Sequence, residues 1–165
     1  MTVDFVAEVR KDLVVLCFDL RLPSQVHFNV LAEGGEGVEV EVVLAALKVA
    51  AAHDRTQETP FQDASDRLRD DKAFVLAAVQ EDGRAIEFVS NRLRKDKEVA
   101  LAVMQNDGYM LEYVNTDLRD DKEIVEAAVL HWGNMLSKAS ERLRNDFDVV
   151  IKAVMSYPGA IRDAS

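Results

Sequence analysis

Apolar residues in the second half of the chain fall in an order that a helix explains and a strand does not. Phe74, Val75, Ala78 and Val79 are spaced i, i+1, i+4, i+5, which is one face of a 3.6-residue period. The group returns as Val99, Ala100, Val103 and Met104, as Ile124, Val125, Ala128 and Val129, and as Val149, Val150, Ala153 and Val154. A shorter apolar group follows each: Ala85, Ile86, Val89; Met110, Leu111, Val114; Met135, Leu136, Ala139; Ala160, Ile161, Ala164. Leu93, Leu118 or Leu143 then closes the unit. The pattern predicts two helices per unit, the second of about two turns.

Polar positions mark the boundaries. Leu68-Arg69-Asp70-Asp71-Lys72 recurs as Leu93-Arg94-Lys95-Asp96-Lys97, Leu118-Arg119-Asp120-Asp121-Lys122 and Leu143-Arg144-Asn145-Asp146-Phe147, each 25 residues after the last. An aspartate before an apolar-periodic run can accept hydrogen bonds from free N–H groups and complement the helix dipole. Asp71, Asp96, Asp121 and Asp146 therefore predict helix starts. Gly83, Gly108 and Gly133 predict helix ends through a left-handed C-terminal residue, and in the last unit the glycine slips to Gly159 behind Pro158. Such short hairpins bury their faces only against neighbours, so the units must stack. Residues 68–165 read as four helical-hairpin repeats of a mainly α, α-solenoid-like fold.

Upstream the pattern loosens. Residues 38–67 read as a divergent first repeat: Val38–His53 forms one helix, and an insertion occupies Asp54–Pro60. Residues 1–37 form an N-terminal segment. Its β-branched stretches at Val3–Val9, Leu13–Leu22 and Gln25–Val30 favour a small β-rich unit. Val9-Arg10-Lys11-Asp12 also echoes Leu93-Arg94-Lys95-Asp96, which leaves open a decayed helical unit there. Glu33-Gly34-Gly35-Glu36-Gly37 lacks the Lys-Ser/Thr of a phosphate-binding loop.

Asp121-Lys122-Glu123-Ile124-Val125, Ala128-Val129, Gly133, Leu136, Ala139-Ser140 and Leu143-Arg144-Asn145-Asp146 together carry a family resemblance. Residues 61–165 resemble the helical repeat family catalogued as domain of unknown function four thousand one hundred and sixteen (DUF4116). The resemblance implies a helical repeat fold and no mechanism. Phe147, Lys152 and Pro158 depart from its pattern and suggest a capping or terminal repeat.

Composition narrows the function classes. The chain has 165 residues, 48% hydrophobic and 30% charged, which suits a folded domain. A net charge of −10 argues against nucleic acid, whose phosphates require an excess of Lys and Arg. Cys17 alone makes neither a disulfide nor a cysteine zinc site, and its apolar surroundings suit a buried thiol. No apolar run reaches the ~20 residues of a membrane span. The N-terminus does not read as a signal peptide. The expectation is a soluble, intracellular and most simply cytoplasmic protein, with an organelle left open and no membrane insertion.

No residue set demands catalysis. The Asp70-Asp71 and Asp120-Asp121 pairs recur once per unit at helix starts and lack the alternating ligands of a calcium loop. Arg69, Arg94, Arg119 and Arg144, two residues before each aspartate, predict an Arg–Asp structural ladder along the stack. His27, His53 and His131 share no metal-ligand spacing. The inter-helix turn varies instead: Asp82-Gly83-Arg84, Asp107-Gly108-Tyr109, Trp132-Gly133-Asn134 and Tyr157-Pro158-Gly159. Trp132, Tyr109, Tyr157 and His131 predict a partner-binding aromatic patch, since Trp and Tyr dominate protein interfaces. The sequence is read as a non-catalytic protein–protein interaction or assembly module without a cofactor, its partner another protein or a larger complex. The alternative is a small enzyme or ligand-binding protein with a pocket between the N-terminal segment and the first repeats. A third reading is a fragment of a longer repeat array.

Overall fold

A computed structural model describes residues 59–164 without a break, and before them residues 40, 43, 44 and 46–48. Among the described residues the regular structure is entirely helical. The β segment expected between residues 3 and 30 lies outside them, as do Cys17, His27, His53 and the glycine-rich loop. Residues 40, 43, 44 and 46–48 are helical, and Val43, Ala46 and Leu47 are buried. The chain divides into two compact units, with the boundary between Phe88 and Val89.

The α-helices are α1 (Asp66–Arg69), α2 (Lys72–Glu81), α3 (Lys97–Asn106), α4 (Lys122–His131), α5 (Glu141–Arg144) and α6 (Phe147–Ser156). Each of the four ten-residue helices opens on its aspartate. Asp71 accepts from the Phe74 N–H, Asp96 from Glu98 and Val99, Asp121 from Glu123, and Asp146 from Asp148 and Val149. The predicted apolar face is the buried one in α2, α3 and α4, while in α6 Val149 and Ala153 are buried and Val150 and Val154 half-buried. Ile124, Val125, Ala128 and Val129 of α4 are fully enclosed.

The second element of each repeat is a 3₁₀ helix rather than an α-helix: Gly83–Phe88, Gly108–Tyr113, Gly133–Lys138 and Pro158–Asp163. Three residues per turn puts every third side chain on one face. Gly108, Leu111 and Val114 share that spacing and are all buried, as are Gly133, Leu136 and Ala139. A third, short helical turn carries the Leu-Arg pair, so each repeat has three helical pieces. Ser65, Ser90 and Ser140 cap those turns by accepting from the N–H of Leu68, Leu93 and Leu143. Asn115 does the same for Asp117.

The glycines act differently from expectation. The residue before each of Gly83, Gly108 and Gly133 leaves the helix in a non-helical conformation: Asp82 has φ −142°, Asp107 φ −145° and Trp132 φ −127°. Neither Gly108 nor Gly133 adopts the left-handed conformation. Each instead lies directly against the backbone of the next repeat. A Cβ on Gly108 would lie 2.7 Å from the Ala128 carbonyl oxygen, and one on Gly133 would lie 2.1 Å from that of Ala153.

Within Val89–Ser165 the repeats stack, α3 against α4 and α4 against α6. Backbone rungs join successive units. The Asn115 N–H donates to the Arg94 carbonyl at 3.1 Å, and the Ser140 N–H to the Arg119 carbonyl at 3.0 Å. In the unit that precedes Val89, the Phe61 ring stacks on Phe74 at 5.7 Å beneath α2.

Candidate interaction surface

Three of the recurring arginines donate to backbone carbonyls, and Arg69 also lies 4.0 Å from Asp66. Arg69, Arg94 and Arg119 reach back to carbonyl oxygens at the end of the preceding 3₁₀ segment. Arg94 Nε donates to the Val89 carbonyl at 2.9 Å. Arg119 Nε donates to that of Val114 at 3.3 Å, and its Nη2 to that of Glu112. Arg69 Nη2 donates to the Gln62 carbonyl, and its guanidinium lies 6.0 Å over the Phe88 ring. Arg144 Nε is buried without an acceptor among the described residues. A 3₁₀ segment ends in carbonyls without intrahelical partners, and the planar guanidinium fork satisfies them at once.

The aspartates are tied across repeats by lysine. Lys97 Nζ lies 2.7 Å from Asp121 and 2.9 Å from Glu123. Lys122 Nζ repeats this with Asp146 at 2.9 Å and Asp148 at 3.0 Å. The Lys97 ammonium holds the Asp121 carboxyl below its ordinary value, and Lys122 does so for Asp146. The lysines shift upward in return. Asp120, whose carboxyl is lowered by the Ser140 hydroxyl and then by Arg142, binds Arg142 Nε at 3.0 Å. These carboxylates are therefore committed to caps and rungs. Among the described residues no three His, Cys, Asp or Glu side chains group so as to hold a metal ion. Sequence reasoning missed the lysines, although they stand beside the aspartates in the recurring motif.

Within Val89–Ser165 the varying turns of successive repeats lie alongside one another. In the earlier repeats the first residue of the turn is an aspartate that caps the 3₁₀ segment. Asp107 accepts from the Tyr109 N–H, and Asp82 accepts from the Arg84 N–H while pairing with its guanidinium at 2.9 Å. Trp132 and Tyr157 make no such cap. They lie over the preceding repeat: Trp132 Cδ1 would be 3.1 Å from a Cβ on Gly108, and Tyr157 Cβ 2.9 Å from one on Gly133. Trp132 meets Tyr109 edge to face, ring centroids 5.9 Å apart. Both rings remain exposed, Trp132 by 41% and Tyr109 by 42%. His131 and Tyr157 are exposed nearby in sequence, as is Leu130, which sequence reasoning passed over.

The sequence model of one family, described as a domain of unknown function (DUF4116), matches residues 57–94, 71–119, 96–131 and 121–165. The chain belongs to the DUF4116 family. Three of the four matched segments begin on Asp71, Asp96 and Asp121, the residues that cap α2, α3 and α4. The DUF4116 repeat is thus a capped α-helix, a 3₁₀ segment and a Leu-Arg turn. No curated protein and no solved structure matches the chain. Among the described residues no helix is long and apolar enough to cross a membrane.

The last DUF4116 repeat departs from the others on its outer face. Phe147 stands where Lys97 and Lys122 make their rungs, and it is 75% exposed. Ile161 stands where Leu111 and Leu136 are fully buried, yet is 59% exposed. A capping repeat normally turns a polar face outward. This face is apolar.

Proposed function

We propose that this DUF4116 chain is a non-catalytic protein–protein interaction or assembly module that uses the turn edge around Trp132 to hold its partner. The Tyr109–Trp132 pair carries the reading. Two aromatic rings meet edge to face and still leave about two-fifths of their surfaces open. Trp132 replaces the capping aspartate of the two preceding repeats, so the 3₁₀ segment forgoes a cap to present an indole. Trp and Tyr in half-open settings are the residues that anchor interfaces. The non-catalytic part of the reading rests on the carboxylates, which recur once per repeat and are occupied by helix N–H groups and lysines.

The test is Trp132→Ala, measured twice. The partner is first identified by cross-linking and purification from the native source, then titrated against both proteins. Binding should weaken by about 2 kcal/mol, roughly thirtyfold. The melting temperature should hardly move, because the ring is only half covered. A variant that loses several kcal/mol of stability yet binds its partner normally would make Trp132 a packing residue and end this reading.

A further inference from the structure

We propose that the outer face of the last repeat is a self-association surface that pairs with the same face of a second copy of this chain. Phe147, Ile151 and Met155 recur every fourth residue and form a row along one side of α6. All are exposed, Phe147 by 75% and Met155 by 81%, and Ile161 continues the patch onto the Pro158–Asp163 segment. Lys152 points the other way, back to Glu126 at 2.7 Å, so this row faces away from the preceding repeat.

The established repeat-to-repeat interface shows what belongs on such a face. Ile161 is in register with Leu111 and Leu136, each fully buried in a 3₁₀ segment that packs against the helix of the repeat that follows. The face therefore continues an interface already used within the chain. Another ordinary repeat does not fit it. Such a repeat brings two acids against the lysine position, as Asp121 and Glu123 meet Lys97. Against Phe147 those acids would lose water and gain no cation, which is unfavourable. A second copy of the same face brings apolar side chains instead.

The row is also self-complementary. A two-fold axis at Ile151 sets Phe147 of each copy beside Met155 of the other, a sulfur–aromatic pairing, with Ile151 against itself. Charge permits it. The chain carries −10, but α6 holds one acid, Asp148, and one base, Lys152, so copies that repel elsewhere meet here on a neutral strip. One ten-residue helix and a short segment make a small interface, and small interfaces lie at the weak end of the affinity range.

The experiment is sedimentation equilibrium of the 165-residue chain up to about 100 µM, a range that reports weak association. The mass should rise from 18.4 kDa toward twice that value and stop there. Phe147→Lys restores the lysine of the preceding repeats at an exposed position, and Met155→Glu adds a charge at another. Each should weaken the dimer roughly thirtyfold or more while leaving the melting curve in place. A chain that stays monomeric overturns the proposal. So does a dimer indifferent to both substitutions, which uses some other surface, and so does open-ended growth, which means head-to-tail contact.

Discussion

Lys122 places its Nζ 2.9 Å from Oδ1 of Asp146, the residue that opens the helix of the following repeat. One carboxylate thus serves two roles, accepting N–H groups of its own helix and receiving the amine of the repeat before it. Lys97 and Asp121 form the same rung one repeat earlier. Helix initiation and repeat stacking are coupled through a single side chain.

That coupling predicts a pH dependence. Lys97, then the N–H groups of Ile124 and Glu123, hold the Asp121 carboxyl below its usual 3.8, with partial burial opposing them. A carboxyl whose folded value is depressed contributes stability above its unfolded value and loses it as pH falls through the folded one. Asp121→Asn should therefore melt below the wild type at pH 6, and the gap should close as pH drops below about 3.8. Between pH 5 and 8 the gap should stay constant. Melting curves across this range decide the point, and a gap unchanged at acid pH would remove the ion pair from the account.

The glycines give a second test. Gly133→Ala forces a Cβ to 2.1 Å from the Ala153 carbonyl, which is backbone and cannot step aside. The loss should be about 1–3 kcal/mol or more, as for overpacked sites. Gly159→Ala meets first the Tyr157 ring, which can rotate away, and should lose less. Urea unfolding of both variants compares them. Equal, small losses would mean that the repeats are not in close contact at Gly133.

Core position separates inner from outer repeats. Leu111→Ala removes a fully buried side chain and should cost about 2–5 kcal/mol. Ile161→Ala, at the corresponding position but 59% exposed, should lie close to the surface-substitution range of about 0.5 kcal/mol. Denaturant midpoints of the two variants check the contrast. A large loss at Ile161 in dilute protein would show that something already covers it.

The repeat was legible without coordinates because its signals are local. A cap needs an aspartate within three residues of the N–H groups it satisfies, and an apolar face needs only a 3.6-residue period. Both are written in the order of residues, so Asp96 and Val99, or Asp121 and Ile124, announce a helix directly. The Trp132 turn stood out for the same reason, as a departure from a constant column.

What the sequence order did not carry are the distances that packing sets, most of them between residues 20 or more positions apart. Whether Gly133 turns the chain or admits the next backbone depends on where the Ala153 carbonyl lies. Whether Arg119 meets an aspartate or a carbonyl depends on where the preceding 3₁₀ segment ends, and that segment read equally well as a short α-helix because both place Leu111 and Val114 on an inner face. Trp132 and Tyr109 became a pair only through stacking, which brings successive turns alongside each other. Periodicity specifies each repeat from its own residues; the spacing between repeats comes from side chains packing in three dimensions, and that spacing set the roles of Gly108, Gly133, Lys97 and Lys122 at the junctions.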